Sequence, residues 1–164
     1  MIIMLHIHRA AALGATVRLV SKRGARTLPL EDFYTGFMTT ALEPGELVAE
    51  IVVPKPTART VYIKHGRKHA NTPAVVTVAA HVQMDGGTVT GARLALNGVG
   101  PHPMRARNAE AALAGQPLGE ATISAAAEAA ARECEPFTDA IASEWYRRKM
   151  AGVTVRRALA RLAG

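Results

Sequence analysis

The chain has little of several residue types that define other classes of protein. Its 164 residues include a single cysteine, Cys134, so an intrachain disulfide framework is excluded and a reducing, cytoplasmic location is expected. Aromatic residues make up only 4% of the chain, so its core must consist mainly of Ala, Val, Leu and Ile. No apolar run is long enough for a transmembrane helix, and we expect no membrane association.

The formal net charge of +7 raises the question of a nucleic-acid partner. The basic residues are dispersed along the chain, however, and no aromatic platform alternates with them as in single-strand binders. Helix-turn-helix and zinc-finger spacings are also missing. The sequence therefore predicts no nucleic-acid binding, and it favours either an acidic partner subunit or a solvated surface as the role of these charges.

Six histidines invite a metal hypothesis. His6 and His8 would share one face of a strand, whereas His65 and His69 are four residues apart in a strand-to-loop region. No Asp, Glu or Cys joins either pair at ligand spacing, so structural or exposed histidines are the preferred interpretation and no metal site is predicted.

Catalytic residues are not evident either. Asp139 and Ser143 lie near the start of the last predicted helix, but no histidine lies nearby and there is no nucleophile-elbow pattern. We interpret these two residues as candidate N-caps. Cys134, in an alanine-rich segment, is expected to be a small buried hydrophobe.

Periodicity gives a coarse map in which strands come first and helices follow. The clearest feature is a hairpin of 74–84 with 88–97 that turns at Asp85-Gly86-Gly87, where a hairpin is preferred to a phosphate-binding loop. The other predicted strands are Thr16–Ser21, Leu47–Val53 and one that starts over Thr60–Lys64. The predicted helices are Arg105–Ala114, Thr122–Glu133 and Ile141–Ala163, the last with Trp145 on its buried side.

This order predicts an α+β fold rather than alternating βαβ units. We expect an antiparallel sheet that the three C-terminal helices cover on one face. A boundary is expected near Pro54 to Ala58, which divides the chain into units of 1–54 and 58–164.

Three stretches carry a resemblance to a known family. They are YIKHGRKHANTPAVVTVAAHV (62–82), RLALNGVGPHPMRARNAEAALAG (93–115) and FTDAIASEWYRRKMAGVTVRRAL (137–159). In this order and at this spacing, they resemble the C-terminal domain of the flavoprotein (medium) subunit of the molybdenum hydroxylases, the family of xanthine, carbon monoxide and aldehyde-type dehydrogenases. The similarity runs from about Leu13 to Leu162.

The resemblance also shows what the chain lacks. In the family, Gly-rich loops of an N-terminal domain hold the FAD pyrophosphate, and no such loop precedes residue 94 here. Residues 12–54 resemble the last strands of that flavin domain, so the chain is expected to begin near its end. The first ten residues do not resemble the family, which would fit an altered start or a misread junction.

Three candidate FAD contacts follow from the resemblance alone. Lys64 and Arg67 stand where the family has a lysine near the flavin and a basic pair, and Val48 matches a position that touches FAD. From the residues alone, Lys64 is better explained as a solvated strand-end lysine, and only the resemblance makes the two interpretations equal. Val48 is better explained as an ordinary strand residue in this chain.

The resemblance implies a component of a molybdopterin, iron–sulfur and FAD dehydrogenase that is not catalytic alone. It would line one side of the flavin pocket and dock the iron–sulfur small subunit and the molybdopterin large subunit. FAD would belong to the complete subunit, with none held by this chain alone. The alternative is a cofactor-free basic interaction domain, and a homo-oligomer is conceivable for the isolated chain.

Overall fold

The structure, a computed structural model, describes residues 4–68 and 72–164, with side chains from Ile7 onward. The N-terminal elements are α1 (Met4–Ala12), β1 (Thr16–Ser21), β2 (Gly24–Pro29), α2 (Leu30–Phe33), β3 (Tyr34–Gly36), β4 (Thr39–Thr40) and β5 (Leu47–Val52). The remaining elements are β6 (Arg59–Gly66), β7 (Ala74–Asp85), β8 (Thr88–Asn97), β9 (Met104–Arg105), α3 (Arg107–Leu113), α4 (Glu120–Glu133) and α5 (Glu144–Ala163).

The larger sheet is antiparallel, with the strand order β6-β7-β8-β9. Its centre is the predicted hairpin: β7 and β8 pair along their length, and Gly86 and Gly87 form the turn with positive φ angles of 54° and 84°. Those angles suit glycine and match the twist of the strands. The hairpin prediction is therefore confirmed, as is the predicted α+β class with three C-terminal helices over one face of the sheet.

Successive side chains of β7 point to opposite faces of the sheet, so this strand contributes to an apolar layer on each face. Val76, Val78 and Val82 face the C-terminal helices in the main hydrophobic core. α3 and α5 contact the sheet, and α4 packs against both of these helices. The opposite face meets α1, because Ala79 and Ala95 pack against Ala11 and its neighbour Ala12. The sheet is thus covered on both faces, and the second layer is built by the N-terminal helix.

A smaller sheet, in the order β2-β1-β5, forms a second cluster with α1 and α2. Val17 and Leu19 alternate inward from β1, and Leu30 and Phe33 of α2 close the cluster. β5 is an edge strand that pairs only with β1 among the described residues. All six of its residues are exposed although most of them are apolar.

Several expectations about particular residues were wrong. Trp145 is 67% exposed rather than buried. α5 begins at Glu144 instead of Ile141, because Ser143 is the N-cap and its Oγ accepts a hydrogen bond from the amide of Tyr146. His6 and His8 lie within the helix α1 and not on a strand, and the side chain of His6 is outside the described part.

Candidate functional site

The strand β6 presents its side chains alternately to the two faces of the sheet. Lys64 pairs with Thr77 on the face toward α1, and its Nζ donates a 2.9 Å hydrogen bond to the carbonyl oxygen of Thr72. His65 points to the opposite face, where its Nε2 lies 3.0 Å from the hydroxyl oxygen of Tyr146 on α5. The end of β6 therefore carries functional groups on both sides of the sheet.

An open groove of about 680 Å³ lies on the helix side of this strand end. It runs between the segment after β6 and the loop that leads into α5. Its lining residues are His65, Gly66, Arg67, Val75, Thr138, Asp139, Ala140, Ile141, Ala142, Ser143 and Tyr146. A groove of this size fits a ligand or a segment of a partner.

One buried arginine, Arg147, binds two of the residues that line the groove, Val75 and Asp139. The Nη1 atom of Arg147 donates to the carbonyl oxygens of Val75 and Gly98 at 2.6 and 3.0 Å. Its Nη2 atom donates to both carboxylate oxygens of Asp139 at 2.8 Å. The hydrogen bond from Arg147 and those from the amides of Ala142 and Ile141 lower the pKa of Asp139. Asp139 therefore stays ionised and holds the loop before α5 against the sheet.

The structure separates the three residues expected to contact FAD. Arg67 lines the groove, and Lys64 lies three residues earlier but on the other face of the sheet. Val48 is on β5, in the smaller sheet, where it is 42% exposed, and it does not line the groove. Lys64 and Arg67 therefore share one strand end, but only Arg67 lines the groove, and Val48 belongs to the smaller sheet.

Sequence reasoning missed the groups that build the groove. His65 was considered only as a metal ligand, and Asp139 was weighed for catalysis and then interpreted as a cap. Asp139 does cap the backbone, since its Oδ1 accepts from the amides of Ile141 and Ala142, but it also pairs with Arg147. The Tyr-Arg-Arg motif at 146–148 was the available signal for Tyr146 and Arg147, but burial of the arginine was not foreseen.

No metal centre is apparent in residues 4–68 and 72–164, where no three metal-ligating side chains come together. His69, one of the histidines considered for a metal, lies outside the described residues. Cys134 is buried, as expected, and burial raises the pKa of its thiol to about 12. A thiol of that pKa stays protonated at neutral pH and is neither a nucleophile nor a thiolate ligand. Within the same described ranges, no helix is both long and apolar enough to cross a membrane.

Comparison with known proteins decides the family. The model of the CO dehydrogenase flavoprotein C-terminal domain matches residues 61–162. That of the FAD binding domain in molybdopterin dehydrogenase matches residues 7–56. The chain belongs to the FAD-binding subunits of the molybdenum hydroxylases. The second match begins at Ile7, so the expectation that the first ten residues lie outside the family was wrong for residues 7–10.

Individual members of the family are similar along most of the chain. The carbon monoxide dehydrogenase medium chain of Hydrogenophaga pseudoflava is 34% identical over 94% of this chain and 54% of its own length. The glyceraldehyde dehydrogenase medium chain of Sulfolobus acidocaldarius is 33% identical over 93% of this chain and 54% of its own length.

The solved carbon monoxide dehydrogenase of H. pseudoflava that lacks the Mo-pyranopterin moiety superposes with a TM-score of 0.90 and 38% identity. The superposition covers 96% of this chain and 55% of that one. The chain thus spans about half the length of the FAD-binding subunits that it matches.

Proposed function

We propose that the chain is the C-terminal portion of a FAD-binding subunit of a molybdenum hydroxylase-type oxidoreductase and that it lines one side of the flavin pocket. Family membership supports the class of enzyme. Lys64 and Arg67 are three residues apart in an exposed basic segment at the end of β6, which supports the pocket role; Arg67 lines the groove, and Lys64 lies on the other face of the sheet. When bound, FAD accepts electrons from one redox centre and passes them on. Lys64 and Arg67 would favour negative charge on the reduced flavin or its phosphates.

We also propose that residues 1–54 are the end of a FAD-binding domain and that 58–164 form the second unit. Two separate hydrophobic clusters support this division, one around β1 and α2 and one between the larger sheet and the C-terminal helices. The exposed apolar strand β5, which carries Val48, is the surface that the remainder of a FAD-binding domain would cover.

The chain alone is expected to bind FAD weakly or not at all. The Gly-rich loops that hold the pyrophosphate in the family have no counterpart before residue 94. Each exposed charge pair contributes about 0–1 kcal/mol, and immobilising a ligand costs about 4 kcal/mol or more. Micromolar affinity would require about 8 kcal/mol. A fluorescence titration with FAD should therefore show no saturable binding at low micromolar concentration; one-to-one saturation there would contradict this expectation.

The pocket role is tested in a chimera. Residues 7–164 are joined to the preceding part of the H. pseudoflava medium chain, and bound FAD is measured by visible absorption. We expect a yellow protein whose FAD affinity falls in Lys64→Ala and Arg67→Ala but not in Arg157→Ala, an exposed arginine of α5. A folded chimera that retains FAD equally well in all three variants would remove Lys64 and Arg67 from the pocket.

The partners proposed for the whole enzyme are an iron–sulfur small subunit and a molybdopterin large subunit. The second candidate function is a cofactor-free basic interaction domain, which the net charge of +7 favours. A folded but colourless chimera would support this second candidate.

A further inference from the structure

A second cavity, smaller than the groove, lies beneath α1 on the opposite face of the larger sheet. Its volume is about 140 Å³, and we call it the α1 pocket. Its walls come from α1 and the residue after it, from the segment before β6, and from the paired strands β6 and β7. An apolar cavity of about 150 Å³ accommodates a benzene molecule, so the α1 pocket has room for one ring-sized ligand.

Two buried polar atoms belong to residues that line the α1 pocket. They are the Nδ1 atom of His81 and the hydroxyl oxygen of Tyr62, and neither has a hydrogen-bond partner among the described residues. His81 is only 8% exposed. Buried polar atoms without a partner are rare, because leaving them unsatisfied is unfavourable. Two of them around one cavity indicate a place for a polar ligand group.

Both side chains are in a protonation state that lets them donate a hydrogen bond. Burial raises the pKa of Tyr62, so its hydroxyl keeps its proton at neutral pH. Burial and the nearby guanidinium of Arg93 lower the pKa of His81, so its imidazole is neutral at pH 7 and can carry its one N–H at Nδ1. The ligand group that suits two such donors is an acceptor.

The charge around the α1 pocket favours a negative ligand. Arg9 lines the pocket, and its guanidinium carbon lies 5.0 Å from the ring centroid of Tyr62. Arg9 has no carboxylate partner within residues 4–68 and 72–164. Within the same ranges no acidic side chain lines the pocket, and most of the remaining wall is apolar, including Ala12, Leu13 and Val61. The pocket therefore combines positive charge with an apolar wall.

We propose that the α1 pocket binds a small monocarboxylate whose apolar body is no larger than a benzene ring. The carboxylate accepts hydrogen bonds from the hydroxyl of Tyr62 and the Nδ1–H of His81, and it is attracted by Arg9. The apolar body of the ligand contacts Leu13 and Val61. The inference does not rest on the proposed function, because none of the three candidate FAD contacts lines this pocket.

The test is an NMR titration of the full chain with benzoate as the probe. Amide signals of residues 9–13, 60–62 and 79–81 should shift together and saturate at one-to-one stoichiometry, with a dissociation constant of about 1 mM or lower. Benzamide has nearly the same shape but no charge, so it should bind at least tenfold more weakly. Since benzoate binds the folded chain, it should also raise the melting temperature.

Tyr62→Phe separates a binding role from a structural one. It removes only the unpartnered hydroxyl, so the melting temperature should not fall, whereas the affinity for benzoate should fall at least fivefold. Tyr34→Phe is the matched control, because Tyr34 is also a half-buried tyrosine but lies on β3 and does not line the pocket. Its affinity for benzoate should equal that of the wild type.

Arg9→Gln tests the charge in the same titration. The affinity for benzoate should fall at least threefold, and Arg157→Gln, at an exposed arginine of α5, should leave it unchanged. The inference is overturned if benzoate shifts no signals of the pocket, if benzamide binds equally well, or if Tyr62→Phe binds benzoate like the wild type. A lower melting temperature in Tyr62→Phe would overturn it as well, because the hydroxyl would then have a structural partner. None of these results bears on FAD binding by the complete subunit.

Discussion

Trp145 illustrates at the scale of a residue what periodicity can and cannot decide. The buried stripe of α5 passes through Arg147, Ala151, Val155 and Leu162, and Trp145 lies off that stripe. Its assignment to the buried side assumed a helix that begins at Ile141, and the Ser143 N-cap moves that start. Large size and apolar character favour burial, but they cannot distinguish a core from an exposed interface.

Replacing Trp145 with Ala should change the free energy of unfolding by no more than about 0.5 kcal/mol, since the side chain is mostly exposed. Leu159→Ala, fully buried in the same helix, should cost about 2–5 kcal/mol. Denaturant titrations of the two variants give the comparison. A large loss in Trp145→Ala would mean that the tryptophan packs in the core.

Asp139 should make stability depend on pH. Its pKa is lower in the folded chain than in the unfolded one, so its contribution is full above the unfolded value of about 3.9 and is lost as pH falls through the folded value. Asp139→Asn should therefore be less stable than the wild type by about 1–2 kcal/mol at pH 7, a figure reduced because the carboxylate is partly exposed. The difference in unfolding free energy between the wild type and Asp139→Asn should shrink below about pH 4. If denaturant unfolding gives the same difference at every pH, the ionisation of Asp139 is not its source.

Local signals explain which elements could be predicted. The hairpin was predictable because alternation and a Gly-Gly turn are contained in one short stretch. α1 was not, because its stability comes from packing against β7 and β8, about 70 residues away in sequence. Burial of Arg147 was equally hidden, since the carbonyl oxygens that it binds belong to Val75 and Gly98.

Gly98 is the turn residue after β8, and it should tolerate no side chain. Its φ is +79°, and a Cβ there would lie 2.5 Å from the carbonyl oxygen of Val75. Gly98→Ala should destabilise the chain by about 1–3 kcal/mol. Gly86→Asn is the control, since Gly86 also has a positive φ but faces open space, and Asn tolerates that conformation. Equal melting temperatures for the two variants would show that the short distance between a Cβ at position 98 and the carbonyl oxygen of Val75 does not destabilise the chain.

Glu31, on α2, joins the smaller sheet to the larger one. It accepts hydrogen bonds from Arg105 at 2.6 Å and from Arg107 at 2.8 Å, and it lies 3.5 Å from Arg93. Burial opposes the charge of Arg105, but hydrogen bonds and charges of Glu110 and Glu31 outweigh it and raise its pKa. Glu31 is therefore needed to compensate buried positive charge.

Glu31→Gln should cost about 2–3 kcal/mol, less than a fully buried pair because Glu31 and Arg107 retain some exposure. Proteolysis in the segment 53–58 should also become faster, because the two sheets separate more easily. Unchanged cleavage and unchanged unfolding would show that the apolar contacts alone join them.

At the scale of the whole molecule, the sequence resemblance predicted the family and the fold class correctly. It did not predict which apolar surfaces are exposed. Which apolar side chains remain in solvent depends on the packing of every element. β5 is one such case, as an edge strand that pairs with β1 on one side and has exposed apolar residues on both faces. Such an edge invites pairing between copies. Leu47→Lys should therefore reduce self-association of the isolated chain in sedimentation velocity without lowering its melting temperature; association that persists would place the contact elsewhere.

The position of α1 over the hairpin also has a consequence for folding. Residues 7–12 of α1 belong to the unit that matches a FAD binding domain, yet Ala11 and Ala12 complete a hydrophobic layer with Ala79 and Ala95 of the other unit. A contact between segments so far apart in sequence can form only after a long loop has closed, which slows folding. The two family units are therefore expected to fold and unfold together as one cooperative unit. Unfolding should proceed in one transition, and a polypeptide cut at residue 58 should lose a face of its central sheet rather than fold as an independent domain.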